Sequence, residues 1–163
     1  MMRDRITFVK GHPVDSVPAD GTNVLFDMWL VSRATTGLLD TVLTASGLTA
    51  DEFGVYSVLS SAESMTPSEL ARWVSAPATT VSSYIKRLEQ RGHLQRSPNP
   101  ADGRSYVVAL TPAGRRAHRA AGEAFLPVLD RVVEALGRRE QSVRRALALL
   151  RTCADEVRTQ AHA

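Results

Sequence analysis

The sequence predicts a mostly α-helical fold that carries one small β-hairpin, and three observations predict it. Apolar residues recur at helical spacing over residues 23–91 and again from 112 onward. Between them, residues 94–110 change to a period of two on either side of a dense run of turn formers. Helix-start signals, Thr66-Pro67-Ser68-Glu69 and Thr111-Pro112, stand where each helical stretch has to begin.

The elements follow in order. Residues 1–22 hold glycine and proline breakers and little periodicity, so they are expected to form an N-terminal arm. From Asn23 a helical stripe of Leu25, Met28, Trp29, Leu39, Val42 and Leu43 runs to Gly47. A second helix is expected from Thr49 to Ala62, with Thr49 as N-cap and Asp51 and Glu52 favoured in its first turn by the helix dipole. Phe53, Tyr56, Val58 and Leu59 would supply its buried face. The Thr66–Glu69 capping box starts a short helix that Ser75-Ala76-Pro77 interrupts, because proline lacks an N–H and disfavours helix in the residue before it. Helix resumes over 78–91, with Val81, Tyr84, Ile85 and Leu88 inward, and Gly92 stops it. Leu94–Arg96 and Tyr106–Leu110 read as two strands joined by a long tip, Pro98–Gly103. A helix from Pro112 to about Leu136, kinked at Pro127, and a last one from Glu140 to Thr159 complete the chain.

This order of helix, capped short helix, turn, helix and hairpin is a winged helix-turn-helix, flanked here by further helices. Three segments are expected: the arm at 1–22, a helical dimerisation region made of 23–47 and 112–163, and the winged motif at 48–111. Two helices joined by a tight turn cross steeply, and the second can enter a major groove. Ala71 is small enough for close helix approach, and Ser75 occupies the turn where glycine is common.

Bulk properties bound the functional class. With 163 residues, 44% hydrophobic and 23% charged, the chain suits one compact domain or a small core with helical extensions. No apolar run reaches the roughly 18–20 residues that span a bilayer, and the N-terminus lacks the apolar segment of a secretory signal, so no membrane partner and a cytoplasmic location are expected. One cysteine, Cys153, excludes an internal disulfide framework. Residues 75–111 hold five cations (Lys86, Arg87, Arg91, Arg96, Arg104) against two anions (Glu89, Asp102), while the rest of the chain carries 15 of each. Positive charge gathered on one element is the footprint of phosphate-backbone binding; a merely solvated basic face is the competing explanation.

The stretches Thr66–Ala71, Thr80-Val81-Ser82, Ile85–Gly92, Pro98–Ser105 and Ala109–Gly114 together resemble the MarR family of winged helix-turn-helix regulators. The Asp-x-Arg of the wing and the leucine-threonine-x-x-glycine after it match in order and spacing. The resemblance implies a homodimer whose first and last helices intertwine, binding a pseudo-palindromic operator in double-stranded DNA, with repression as the commonest outcome. It also implies a site for small aromatic or phenolic ligands, which Trp29 and Tyr56 would line. On the second helix, Thr79, Thr80, Ser82, Ser83, Lys86 and Arg87 are expected to face DNA, the hydroxyls near the helix start meeting phosphates or base edges. The family often has arginine, a reader of guanine, where Ser83 stands, so a different operator preference is expected here. Arg104 is expected to enter a minor groove, with Asp102 pairing it or the turn backbone.

Other chemistries find little footing. His12, His93, His118 and His162 lack metal-ligand spacing, so no metal and no cofactor are expected. Asp51-Glu52 and Asp155-Glu156 are adjacent on helices and are explained by capping and solvation, and no nucleophile motif surrounds any serine, so no catalytic residue and no enzyme activity are expected. Cys153 falls on the apolar stripe of the last helix, where inert packing is expected. The alternative to DNA binding is a winged helix that works through protein–protein contacts.

Overall fold

The computed structural model describes residues 23–161, which fall into two compact units divided between Ala121 and Gly122. The expected arm at 1–22, with His12, and the terminal His162 lie outside the described residues. The first unit contains α1 (Val24–Leu43), α2 (Ala50–Ser60), α3 (Pro67–Trp73), α4 (Ala78–Gln90), β1 (Leu94–Asn99), β2 (Asp102–Leu110) and the start of α5 (Pro112–Leu136). The second holds the remainder of α5 and α6 (Glu140–Gln160).

Local chemistry accounts for each helix end. Asn23 accepts from the Leu25 and Phe26 amides, and Gly47, at φ 68°, ends the 3₁₀ turn that follows α1. Thr49 caps α2 by a full capping box: its hydroxyl accepts from the Glu52 amide while the Glu52 carboxylate accepts from the Thr49 amide. Asp40, near the end of α1, accepts from the Ala50 amide at 2.7 Å and so ties α1 to α2. Thr66 and Glu69 form the second box, as expected, and the Thr66 N–H holds the Glu69 carboxyl below its ordinary pKa. Ser75 takes φ 51°, the only positive φ outside glycine among the described residues, so the turn needs the left-handed geometry that glycine adopts freely. Gly92, at φ 70°, terminates α4, with its own amide and that of His93 donating back to Glu89 and Leu88.

The core of the first unit is continuous from helix to wing. Leu43, Val55, Tyr56, Leu59, Leu70, Val81, Ile85, Leu88, Val108 and Leu110 are its largest fully buried side chains. Truncating one of the aliphatic members to alanine costs about 2–5 kcal/mol. The hairpin is antiparallel, pairing Leu94 with Leu110 and Arg96 with Val108. Met65 adds two backbone hydrogen bonds to Val108, pinning the α2–α3 connection to the wing.

Three expectations need correction here. The strands run on past Arg96 and begin before Tyr106, pairing as far as Asn99 with Asp102, so only Pro100 and Ala101 lie between them. Asn99 and Asp102 allow this by accepting from the Ala101 and Arg104 amides, and Pro98 is tolerated because a two-stranded sheet has outer edges that need no N–H. Tyr84 is only half-buried, because its hydroxyl reaches Asp51 instead of the core. Cys153 is exposed, because no residue of α6 is buried in the single chain; Leu147, Leu149 and Val157 stand open beside it. Within the second unit, Leu126, Leu129, Val132 and Val133 of α5 are likewise exposed. No helix among the described residues is long and apolar enough to cross a membrane.

The wing's exit is a tight junction. The Thr111 hydroxyl donates to the Gly92 carbonyl at 2.7 Å and accepts from the Gly114 amide, while the Thr111 amide donates to His93. Gly114 is buried, and a Cβ there would collide with the His93 carbonyl. The glycine of the leucine-threonine-x-x-glycine exit is therefore a steric requirement. Gly114→Ala should destabilise the protein by about 1–3 kcal/mol despite the better helix propensity of alanine, measured by urea unfolding.

His118 packs against the Phe53 ring at 5.4 Å and shares a hydrogen bond with Ser57 at 3.1 Å. Burial lowers its pKa below the ordinary 6.5. Above that value the imidazole is neutral in both folded and unfolded chains. Below it the unfolded chain takes up a proton that the folded chain resists, so stability falls until the lower folded pKa is passed. Urea midpoints recorded from about pH 7 to 5 should therefore drop less for His118→Gln than for the wild type.

Candidate nucleic-acid interface

Helix α4 presents three faces, because successive side chains are about 100° apart. Val81, Ile85 and Leu88 enter the core. Tyr84, Arg87 and Arg91 form a second stripe that is latched to the start of α2. Arg87 Nε lies 3.3 Å from Glu52 Oε1, and Arg91 Nη1 lies 3.1 Å from Glu52 Oε2. The Tyr84 hydroxyl donates to Asp51 at 3.2 Å, and the Arg87 guanidinium stands 5.0 Å from the Tyr84 ring centre. The third stripe is Thr79, Ser82, Ser83, Lys86 and Gln90, all exposed. Within it, the Ser83 hydroxyl donates to the Thr79 carbonyl at 3.0 Å.

Glu52 is the centre of the latch. It is 3% exposed, and an isolated carboxylate so far from water costs several kcal/mol. Two guanidinium groups and the Thr49 amide offset that cost. The hydrogen bond from Arg91 to Glu52 raises the Arg91 pKa further above its ordinary range. Burial, followed by the nearby Asp51 charge, raises the Tyr84 pKa and keeps it a neutral donor. Glu52 is therefore a buried ionic hub, which corrects the expectation of capping and solvation alone.

The latch redistributes the charge seen in the sequence. Arg87 and Arg91 face Glu52, and Arg96 makes two 2.6 Å hydrogen bonds to Glu89 while lying 4.7 Å over the Tyr106 ring. Lys86 and Arg104 take part in no ion pair among the described residues and are both exposed. Arg104 sits on the hairpin just past its turn, where Asp102 Oδ1 accepts from its backbone amide at 3.0 Å and the Ser105 hydroxyl donates to the Asp102 carbonyl. Asp102 therefore shapes the turn through the backbone.

Of the residues expected at this surface, Thr79, Ser82, Ser83 and Lys86 share the open stripe of α4 and Arg104 is exposed on the wing. Thr80 is half-buried on the latched side, and Arg87 is held by Glu52. Gln90 was missed, although its spacing from Thr79, Ser83 and Lys86 continues one helical stripe. Trp29 and Tyr56, expected to line a common crevice, have different surroundings. Trp29 is 56% exposed and stacks on Phe26, whereas Tyr56 is wholly buried, with its hydroxyl 2.6 Å from His93 Nδ1. Burial raises the Tyr56 pKa, and its satisfied hydroxyl leaves no open polar group for a ligand. Trp73, an aromatic residue at the end of α3, is 63% exposed. No group of three His, Cys, Asp or Glu side chains able to hold a metal ion occurs among the described residues.

Comparison with known proteins places this surface among relatives. The model of the MarR family matches residues 48–106. The multiple antibiotic resistance protein MarR of Salmonella typhimurium is 32% identical over 87 residues, which span 53% of this chain and 60% of that protein. An HTH-type transcriptional repressor of Mycobacterium bovis is 33% identical over 73 residues, 45% of this chain and 52% of the relative. The chain thus spans little more than half the length of these curated relatives. Among solved structures, the M. tuberculosis transcriptional regulator MOSR in complex with DNA superposes with a TM-score of 0.73 at 27% identity, covering 83% of this chain and 98% of that one.

Removing the Asp102 carboxylate should loosen the hairpin turn with little effect on the fold. Asp102→Ala is expected to speed amide hydrogen exchange at residues 103–105 while global stability falls by no more than about 1 kcal/mol.

Proposed function

We propose that the chain, whose residues 48–106 match the model of the MarR family, is a homodimeric, sequence-specific DNA-binding transcriptional regulator that represses by occupying a pseudo-palindromic operator. It works in the cytoplasm, by binding and without catalysis. The observation that carries the proposal is the open stripe of α4 together with the uncommitted Lys86 and Arg104. A protruding helix whose inner face is core and whose side is latched has one face left for a groove, and that face carries hydroxyls, an amide and an ammonium. Thr79, Ser82 and Ser83 meet phosphates or base edges near the helix start, and Lys86 meets the backbone. Arg104, on the hairpin, reads minor-groove width.

The dimer is supported by the apolar residues left open on α1, including Leu25 and Trp29, and on α6. Each protomer would then supply one recognition helix, the pair entering major grooves about 34 Å apart. Release by a small aromatic ligand belongs to the same proposal, with Trp29 as the exposed candidate and Tyr56 inaccessible in this conformation.

A gel shift on the DNA upstream of the protein's own gene tests the proposal. The wild type should shift it at low salt, and Arg104→Ala should bind roughly tenfold more weakly. A reporter under the same DNA should be repressed by the wild type. No shift by either protein at low salt would sink the proposal.

A further inference from the structure

We infer that Glu52 limits sequence-independent DNA affinity: by holding Arg87 against α2 it keeps that guanidinium off DNA phosphates and lowers affinity for any duplex, unrelated sequence included. The inference rests on the DNA-binding proposal and changes which residues of α4 contact the duplex.

Of the two arginines latched to Glu52, Arg87 has the more open side chain. It follows Lys86 directly on the recognition helix, and its side chain is still 49% exposed. What restrains it lies on the other side. Glu52 Oε1 is 3.3 Å from its Nε, and the Tyr84 ring lies beneath the guanidinium. Glu52 cannot follow Arg87 outward, because the same carboxylate caps α2 through the Thr49 amide and pairs with Arg91. Pulling Arg87 to a phosphate would leave a 3% exposed carboxylate with half its ionic partners. The neighbouring groups reinforce this: Asp51 holds Tyr84 in place, and Tyr84 supports the flat face of Arg87.

The consequence is electrostatic. Affinity for DNA of any sequence grows with the number of phosphates that cations neutralise, each adding about 0.9 to the salt slope. A cation withheld from phosphates therefore weakens the complexes with operator and with unrelated DNA alike. With Arg87 and Arg91 latched, Lys86 is the phosphate-contacting cation of α4.

Anisotropy titrations of the full chain, over a range of salt, on its own upstream DNA and on an unrelated duplex of equal length test this. Lys86→Gln should flatten the salt slope by about 2 per dimer, whereas Arg87→Gln should leave it unchanged. Glu52→Gln keeps a capping side chain but removes the charge, so it should steepen the slope by about 2 and bind the unrelated duplex roughly tenfold more tightly. The operator should gain by a similar factor, leaving the operator-to-unrelated affinity ratio nearly unchanged. A merely structural Glu52 would weaken binding to both duplexes with no rise in slope. Loss of slope in Arg87→Gln equal to that in Lys86→Gln overturns the inference, as does a folded Glu52→Gln with unchanged or weaker binding to unrelated DNA. Should Glu52→Gln fail to fold, the Arg87→Gln slope decides alone. A wild type that binds neither duplex overturns the DNA-binding proposal itself, and the inference with it.

Discussion

Glu52 stands between α2 and α4 with a backbone amide on one side and two guanidinium groups on the other. Few arrangements satisfy a carboxylate held away from water, and this one fixes several things together. It caps the helix it belongs to, it sets the rotation of α4 about its own axis, and it decides which cations of that helix are free. Rotation matters because the stripe that is neither core nor latch is the one that can meet a groove. Val81, Ile85 and Leu88 alone would permit some rocking of a 13-residue helix. The added grip at Tyr84, Arg87 and Arg91 runs along its length and removes that freedom.

The wing is held with comparable economy. Met65 binds β2 from the α2–α3 connection, and Thr111 closes its exit onto the residues that end α4. Gly114 then lets α5 press against the His93 carbonyl, where any side chain would intrude. Recognition helix and hairpin therefore share one junction, from Gly92 to Gly114. A disturbance at that junction reaches both elements that are proposed to touch DNA.

Much of this was legible in the sequence, and the reasons for the rest are physical. Capping boxes, a proline break and a glycine stop are local signals, so the helices around Thr66, Pro77 and Gly92 fall where the residues say they should. Glu52 was not legible as a buried hub, because Thr-Ala-Asp-Glu reads the same whether the glutamate faces water or a pair of arginines 35 and 39 residues on. The same holds for Arg87, whose number and type suggested phosphate but whose partner lies on another helix. Tyr84 fits an apolar stripe by spacing, and only the position of Asp51 shows why it turns outward. The wing turn was misjudged because Pro98 and Asn99 are turn formers by type, yet side-chain acceptors let pairing continue past them. Trp29, Trp73 and Cys153 stand exposed where apolar character alone suggests burial, since spacing gives a face and not what covers it.

Helix α6 buries none of its residues within a single chain, and in water a lone helix gains little beyond its own backbone bonds. In the dimer proposed above, much of what stabilises it comes from the second copy, so its free energy of formation contains the logarithm of how many copies are present. Order at the C-terminal end is in that sense a dose-dependent quantity. At low abundance the winged unit, with its own capped helices and closed core, would remain folded while the helices proposed to pair it with a second copy thin out. The molecule would titrate itself, passing from single readers to a two-handed clamp over a span of cellular concentration.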